Sequence, residues 1–172
     1  MKKTNILLAF GAFLISSIGF AQTDTADLNV VLTDIQSITV AAAQETVTIT
    51  LDDVTKYTSG TDVDQADHLA VVSTSDFDIT AVANQELTKT GEANTIPVST
   101  VTLTASAGTN APDGTMAAVA LSATAPVNLV TGASADLDAF YNVNYAVSGG
   151  TEYLNQPTGT YETTITYTLV PQ

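Results

Sequence analysis

Tyr161-Glu162-Thr163-Thr164-Ile165-Thr166-Tyr167-Thr168-Leu169 carries Tyr161, Ile165, Tyr167 and Leu169 at odd positions, and Glu162, Thr164, Thr166 and Thr168 at even ones. A period of two is that of a strand with one face buried and the other wet. Branched and aromatic side chains suit a pleated surface and lose rotamer freedom in a helix. The same alternation recurs in Thr46-Val47-Thr48-Ile49-Thr50-Leu51 and in Val101-Thr102-Leu103-Thr104-Ala105. Working outward, similar runs occupy 28–33, 35–40, 46–52, 69–73, 77–82, 96–105, 116–123, 127–131, 139–147 and 160–170. The Ala-rich run 116–123 has no apolar stripe at helical spacing and reads as a strand. Turn residues separate the runs, notably Ser59-Gly60-Thr61-Asp62, Gly91-Glu92-Ala93-Asn94, Gly108 to Gly114, Gly149-Gly150 and Pro157-Thr158-Gly159. Many short strands with turn signals between them predict an all-β protein, an antiparallel β-sandwich of Ig-like or fimbrial-like kind with about 8–10 strands.

The N-terminus indicates a compartment. Met1-Lys2-Lys3 is a positive start, Ile6 to Phe20 an apolar run, and Gly19-Phe20-Ala21 a small-residue cleavage site. This predicts a secretory signal peptide over 1–21. The run is shorter than the roughly twenty residues a spanning helix needs. The expected mature chain, 22–172, is one sandwich domain that is secreted, periplasmic or on the cell surface, with no membrane insertion. The chain has no Cys, so its stability in an oxidising compartment must come from an ordinary core. An apolar content of 45% makes such a core feasible and separates this chain from acidic disordered ones.

Charge removes whole classes of partner. Eighteen acidic residues stand against four Lys and no Arg, a net charge of −14. Loss of Lys2 and Lys3 with the leader takes it to −16 and leaves Lys56 and Lys89 as the only Lys or Arg residues. Nucleic acid is bound chiefly by neutralising phosphates, and two cations are too few. Catalysis is equally constrained: thiol nucleophiles, Cys-based metal sites and guanidinium clamps are absent, and no glycine-rich phosphate loop ending in Lys occurs. The expectation is a protein that is not an enzyme.

Some residues nevertheless have chemical potential. Asp62, Asp64 and Asp67 form an acidic loop whose alternate carboxylates are candidate ligands for a structural Ca²⁺, a cation that takes six to eight oxygens. No other cofactor is indicated. Asp76 with Asp78, and Asp136 with Asp138, place paired carboxylates on one strand face, where they read as solvated or edge-guarding groups. His68, the only histidine, stands beside Asp67; without a Gly-x-Ser-x-Gly elbow it reads as a hydrogen-bonded structural residue rather than a catalytic base. Thr46, Thr48 and Thr50, then Thr100, Thr102 and Thr104, then Thr164, Thr166 and Thr168 form three hydroxyl ladders, which read as polar strand faces.

The segment Pro157-Thr158-Gly159-Thr160-Tyr161, followed by alternating Thr and aliphatic residues, resembles the closing strand of secreted bacterial β-sandwich surface domains, namely the spore-coat-U-like fimbrial subunits and the WxL-like domains. The resemblance covers about thirteen residues. It implies an extracellular sandwich that assembles into pili or coats, or attaches to the cell surface, without catalysis. The corresponding mechanism is β-strand addition, in which main-chain hydrogen bonds extend a neighbour's sheet and alternate side chains fill pockets. Residues 24–33, with Leu28, Val30 and Leu32 alternating behind a polar leader, are the candidate donor for self-assembly or for a protein partner. The alternative is a binding module for a neutral glycan or a partner protein, acting through the loops Gly108 to Gly114 and Asp62 to His68.

Overall fold

The computed structural model describes residues 22–110 and 113–172. Contacts group the chain into two units, Met1–Leu32 and Thr33–Gln172. In the first, residues 22–32 are described; they lack secondary structure and every one is exposed. The signal peptide expected over 1–21 lies outside the described residues.

The second unit is built of antiparallel sheets. In chain order its elements are β1 (Gln36–Val40), α1 (Val54–Ser59), β2 (Thr61–Ser73), β3 (Phe77–Ala83), β4 (Leu87–Thr88), β5 (Thr95–Ile96), β6 (Val101–Ala107), β7 (Thr115–Met116), β8 (Ala118–Ala120), β9 (Val127–Ala133), β10 (Asp136–Val147) and β11 (Ile165–Pro171), with three 3-10 turns. One sheet runs β1-β2-β10-β6-β8 and a second β11-β3-β9-β7, while β4 and β5 pair alone. Every ladder is antiparallel. The all-β sandwich predicted from periodicity is the fold.

Alternation explains where the core sits. From β3, Phe77, Ile79, Ala81 and Ala83 point inward; from β10, Ala139, Tyr141, Val143, Tyr145 and Val147 do the same. Leu69 and Val71 of β2, Leu103 of β6, and Leu129 and Val130 of β9 complete the interior. Burial of each such aliphatic side chain contributes about 1.5–3 kcal/mol. One flank of the sandwich is closed by the 115–122 segment, which passes between sheets: β7 pairs with β9, β8 with β6. Between them the Ala117 N–H donates to Leu129 and its carbonyl accepts from Ala105.

Some sequence expectations change. Residues 28–33 form no strand and are exposed. Residues 46–51 alternate in burial, with Val47, Ile49 and Leu51 packed on the core, yet belong to no ladder. Asp62 to Asp67 is not a loop but the first half of β2, with Thr61, Val63 and Gln65 inward and Asp62, Asp64 and Ala66 outward. Residues 54–59, where the sequence reading placed no element, form a short helix. Asp53 caps it by accepting the Lys56 N–H at 2.9 Å, Lys56 reaches Asp52 at 2.6 Å, and Gly60 ends it at φ 81°.

Candidate functional site

The flank opposite the 115–122 segment ends in β1 on one sheet and β11 on the other. Natural sheet edges are blunted by charge, proline, bulges or shortness. Edge strands β7 and β8 are two and three residues long, and β1 is five. By contrast β11 is seven residues long, uncharged, and in continuous register with β3 from Ile165↔Ala83 to Pro171↔Phe77. Pro171 blunts only its last position. Among the described residues no strand pairs with its other edge. Its inward side chains Ile165, Tyr167 and Leu169 are half-buried, whereas those of β3 are fully buried.

Behind this edge lies a chain of buried and half-buried polar groups. The Tyr167 hydroxyl is 2.6 Å from the Tyr145 hydroxyl, which is 2.6 Å from His68 Nε2. His68 Nδ1 is 3.0 Å from Gln44 Oε1. The His68 ring meets both tyrosine rings edge-on. His68 is 1% exposed, for a local reason. Opposite Asn142, β2 carries three residues, 66–68, with Asp67 at φ 48°. This bulge turns His68 into the interior although Ala66, two residues earlier, faces out. Burial lowers the His68 pKa below its usual 6.5 and raises the Tyr145 and Tyr167 hydroxyls above 10. A hydrogen bond from the partner hydroxyl opposes the rise at Tyr145. The sequence marked His68 but not its partners. Tyr145 and Tyr167 stand at inward positions of alternating strands, and a buried tyrosine hydroxyl needs a partner; that was the available signal.

The three candidate calcium ligands do not converge. Asn144 donates to Asp62 at 2.6 Å and to Asp64 at 2.7 Å across the outer face. Asp67, at the bulge, accepts instead from the Thr109 N–H at 2.7 Å and its hydroxyl at 2.8 Å. Among the described residues no group of three His, Cys, Asp or Glu is placed to hold a metal ion. Asp67 is bound to Thr109 and not to His68, so among the described residues the two do not form part of a Ser-His-Asp relay.

Other carboxylates hold a corner. Where the chain passes from β9 to β10, and so from one sheet to the other, Gly132 donates to Asp78 at 2.7 Å, Ser134 to Asp113 at 2.7 Å and Ala135 to Asp76 at 3.2 Å. These main-chain donors have left their ladders and need acceptors. Asp76 and Asp78, expected to face solvent as a pair, serve as two of those acceptors. Asp136 and Asp138 do not act as a pair on one face either, because a bulge falls between Asp136 and Ala139. Asp136 takes the Asp138 N–H at 2.8 Å, and Asp138 takes the Asn110 amide at 2.7 Å.

Of the two segments expected as end loops, one is β2, and its bulge meets the loop after β6 through Asp67 and Thr109. Beside them a shallow polar depression of about 310 Å³ is lined by Asp64, Gln65, Ala66, Ser106 and Asn142. Compared with known proteins, the chain matches no family model and no curated protein.

Proposed function

We propose that this protein is a non-catalytic structural or adhesion subunit of the bacterial cell surface that assembles by β-strand addition, residues 24–33 of one copy extending an open sheet edge of the next. The observation that carries this reading is the exposure of Leu28, Val30 and Leu32, at 88%, 75% and 90%, on a segment with no ladder of its own. Leaving one such side chain in water forgoes about 1.5–3 kcal/mol of burial. The uncharged, continuous edge of β11 supports the reading from the receiving side, because an unprotected edge is a template for pairing. Secretion, expected from residues 1–21, fits the same role.

The test is the size of the protein as a function of concentration, with and without residues 22–33. Concentration-dependent oligomers that disappear on deletion, with an unchanged melting temperature, are expected. A monomer at every concentration, or a large loss of stability on deletion, would refute the proposal.

A second reading has one observation in its favour. The depression bounded by Asp64, Gln65, Ser106 and Asn142 offers carboxylate, amide and hydroxyl groups of the kind that bind sugar hydroxyls. Glycan binding that is lost in Asn142→Ala, in a protein that stays monomeric, would favour that reading.

A further inference from the structure

The polar chain behind β11 has a defined direction. Gln44 Nε2 donates to the Ala66 carbonyl at 2.9 Å, so the oxygen of that amide is the end facing His68. An amide oxygen only accepts, and His68 Nδ1 therefore carries the proton. Nε2 is then an acceptor, taking the Tyr145 O–H, and the Tyr145 oxygen in turn takes the Tyr167 O–H. Four side chains from the 41–45 turn, β2, β10 and β11 are joined in one line that crosses between the sheets and ends on the free edge strand.

The line keeps this direction only while the imidazole is neutral. On protonation Nε2 becomes a donor to the Tyr145 oxygen, and one phenolic O–H of the Tyr145–Tyr167 pair is left without an acceptor in the line. The surplus donor falls on the pair that ties in β11, beside a buried cation. Among the described residues no charged group compensates the cation. The 41–45 turn presents Gln44, β10 presents Tyr145 and β11 presents Tyr167. Asp67, the ionisable neighbour in β2, is turned to Thr109, and Asp64 is held by Asn144 on the outer face. Glu45, next to Gln44, is exposed. Desolvation is the sole cause of the His68 shift.

We infer that His68 is a proton-operated latch on the β11 edge: neutral, it ties β11 and the 41–45 turn to the sandwich and keeps the edge fit to receive a strand; protonated, it releases both and strand capture is lost. The capture half of this inference rests on the strand-addition reading, while the latch itself does not. An opened flank binds a proton with an ordinary histidine pKa near 6.5. By linkage, local opening rises as pH falls below that value, by up to about tenfold for each pH unit, until the lowered pKa of the closed state is reached.

The experiment is amide exchange of the whole protein at about pH 7.5 and about pH 5, corrected for intrinsic rates, with β3 and β9 as internal reference. Capture of a fluorescent 24–33 peptide is measured at both pH values. Protection of β11 and of 41–45 is expected to fall about tenfold or more in acid relative to the reference, and peptide affinity to fall with it. In His68→Gln, which cannot titrate, the acid loss disappears. In Tyr167→Phe, which keeps the His68 to Tyr145 bond, β11 is already loosened at about pH 7.5. Equal protection at both pH values, or the same acid loss in His68→Gln, overturns the latch. If the peptide binds at neither pH while the His68-dependent loosening is seen, the latch stands and strand addition fails. If the peptide binds equally well at both while β11 stays protected, strand addition stands and the latch fails.

Discussion

Two tyrosines on one strand separate what a buried hydroxyl does from where it sits. Tyr141 and Tyr145 both point into the core from β10. Among the described residues the Tyr141 hydroxyl has no partner, whereas Tyr145 bonds both His68 and Tyr167. Removing an unsatisfied buried hydroxyl relieves a desolvation cost; removing a satisfied one leaves its partners orphaned. Tyr141→Phe is therefore expected to be neutral or stabilising in urea unfolding, and Tyr145→Phe to cost about 1–3 kcal/mol. The carboxylates supply a second case. Ser134 donates its N–H and its hydroxyl to Asp113, which holds that carboxyl below 3.8. A group whose folded pKa is depressed stabilises the fold above its unfolded pKa and ceases to do so as pH falls through the folded value. Asp113→Ala should thus lower the urea midpoint at neutral pH, and the gap from the parent protein should close as pH drops below 3.8.

Residues 46–51 and strand β2 show what periodicity reports and what it omits. Alternation states which side chains face the core, and for Val47, Ile49 and Leu51 it is right. Main-chain pairing depends on a neighbour, of which the pattern is silent. Residues 46–51 are therefore expected to exchange their amides as fast as a loop. Ile49→Ala should nevertheless cost about 1–2 kcal/mol, below the usual penalty for a fully buried isoleucine. The opposite error occurred at 61–67, where three aspartates in six residues read as a loop. The period of two was present there, with Val63 and Gln65 inward, but charge masked it. His68 sits where β2 departs from the period, so its neighbours Tyr145, Tyr167 and Gln44 are products of the bulge and of long-range register. No local pattern in a single sequence encodes a register between residues 68 and 145. The fold class, the β3, β9 and β10 strands and the turns were legible for the converse reason: each is a local property of side-chain size, polarity and turn chemistry.

At the scale of the molecule the acidic composition has structural employment. Eight acidic side chains among the described residues accept a main-chain N–H: Asp24, Asp53, Asp67, Asp76, Asp78, Glu86, Asp113 and Asp136. These eight charges sit at caps, turns, bulges and sheet corners, while β11 carries none. Two copies approaching each other feel this arrangement before they touch. Like-charged bodies repel across water over about 10 Å at 0.1 M salt and about 30 Å at 0.01 M, while an edge ladder forms only at about 5 Å. Association through strand edges should accordingly accelerate steeply as sodium chloride is raised, a trend that light scattering over a salt series will read directly. The caps that fix the corners would in this way also set a threshold of ionic strength: a dilute medium keeps the copies apart, and a saline one lets their uncharged edges meet.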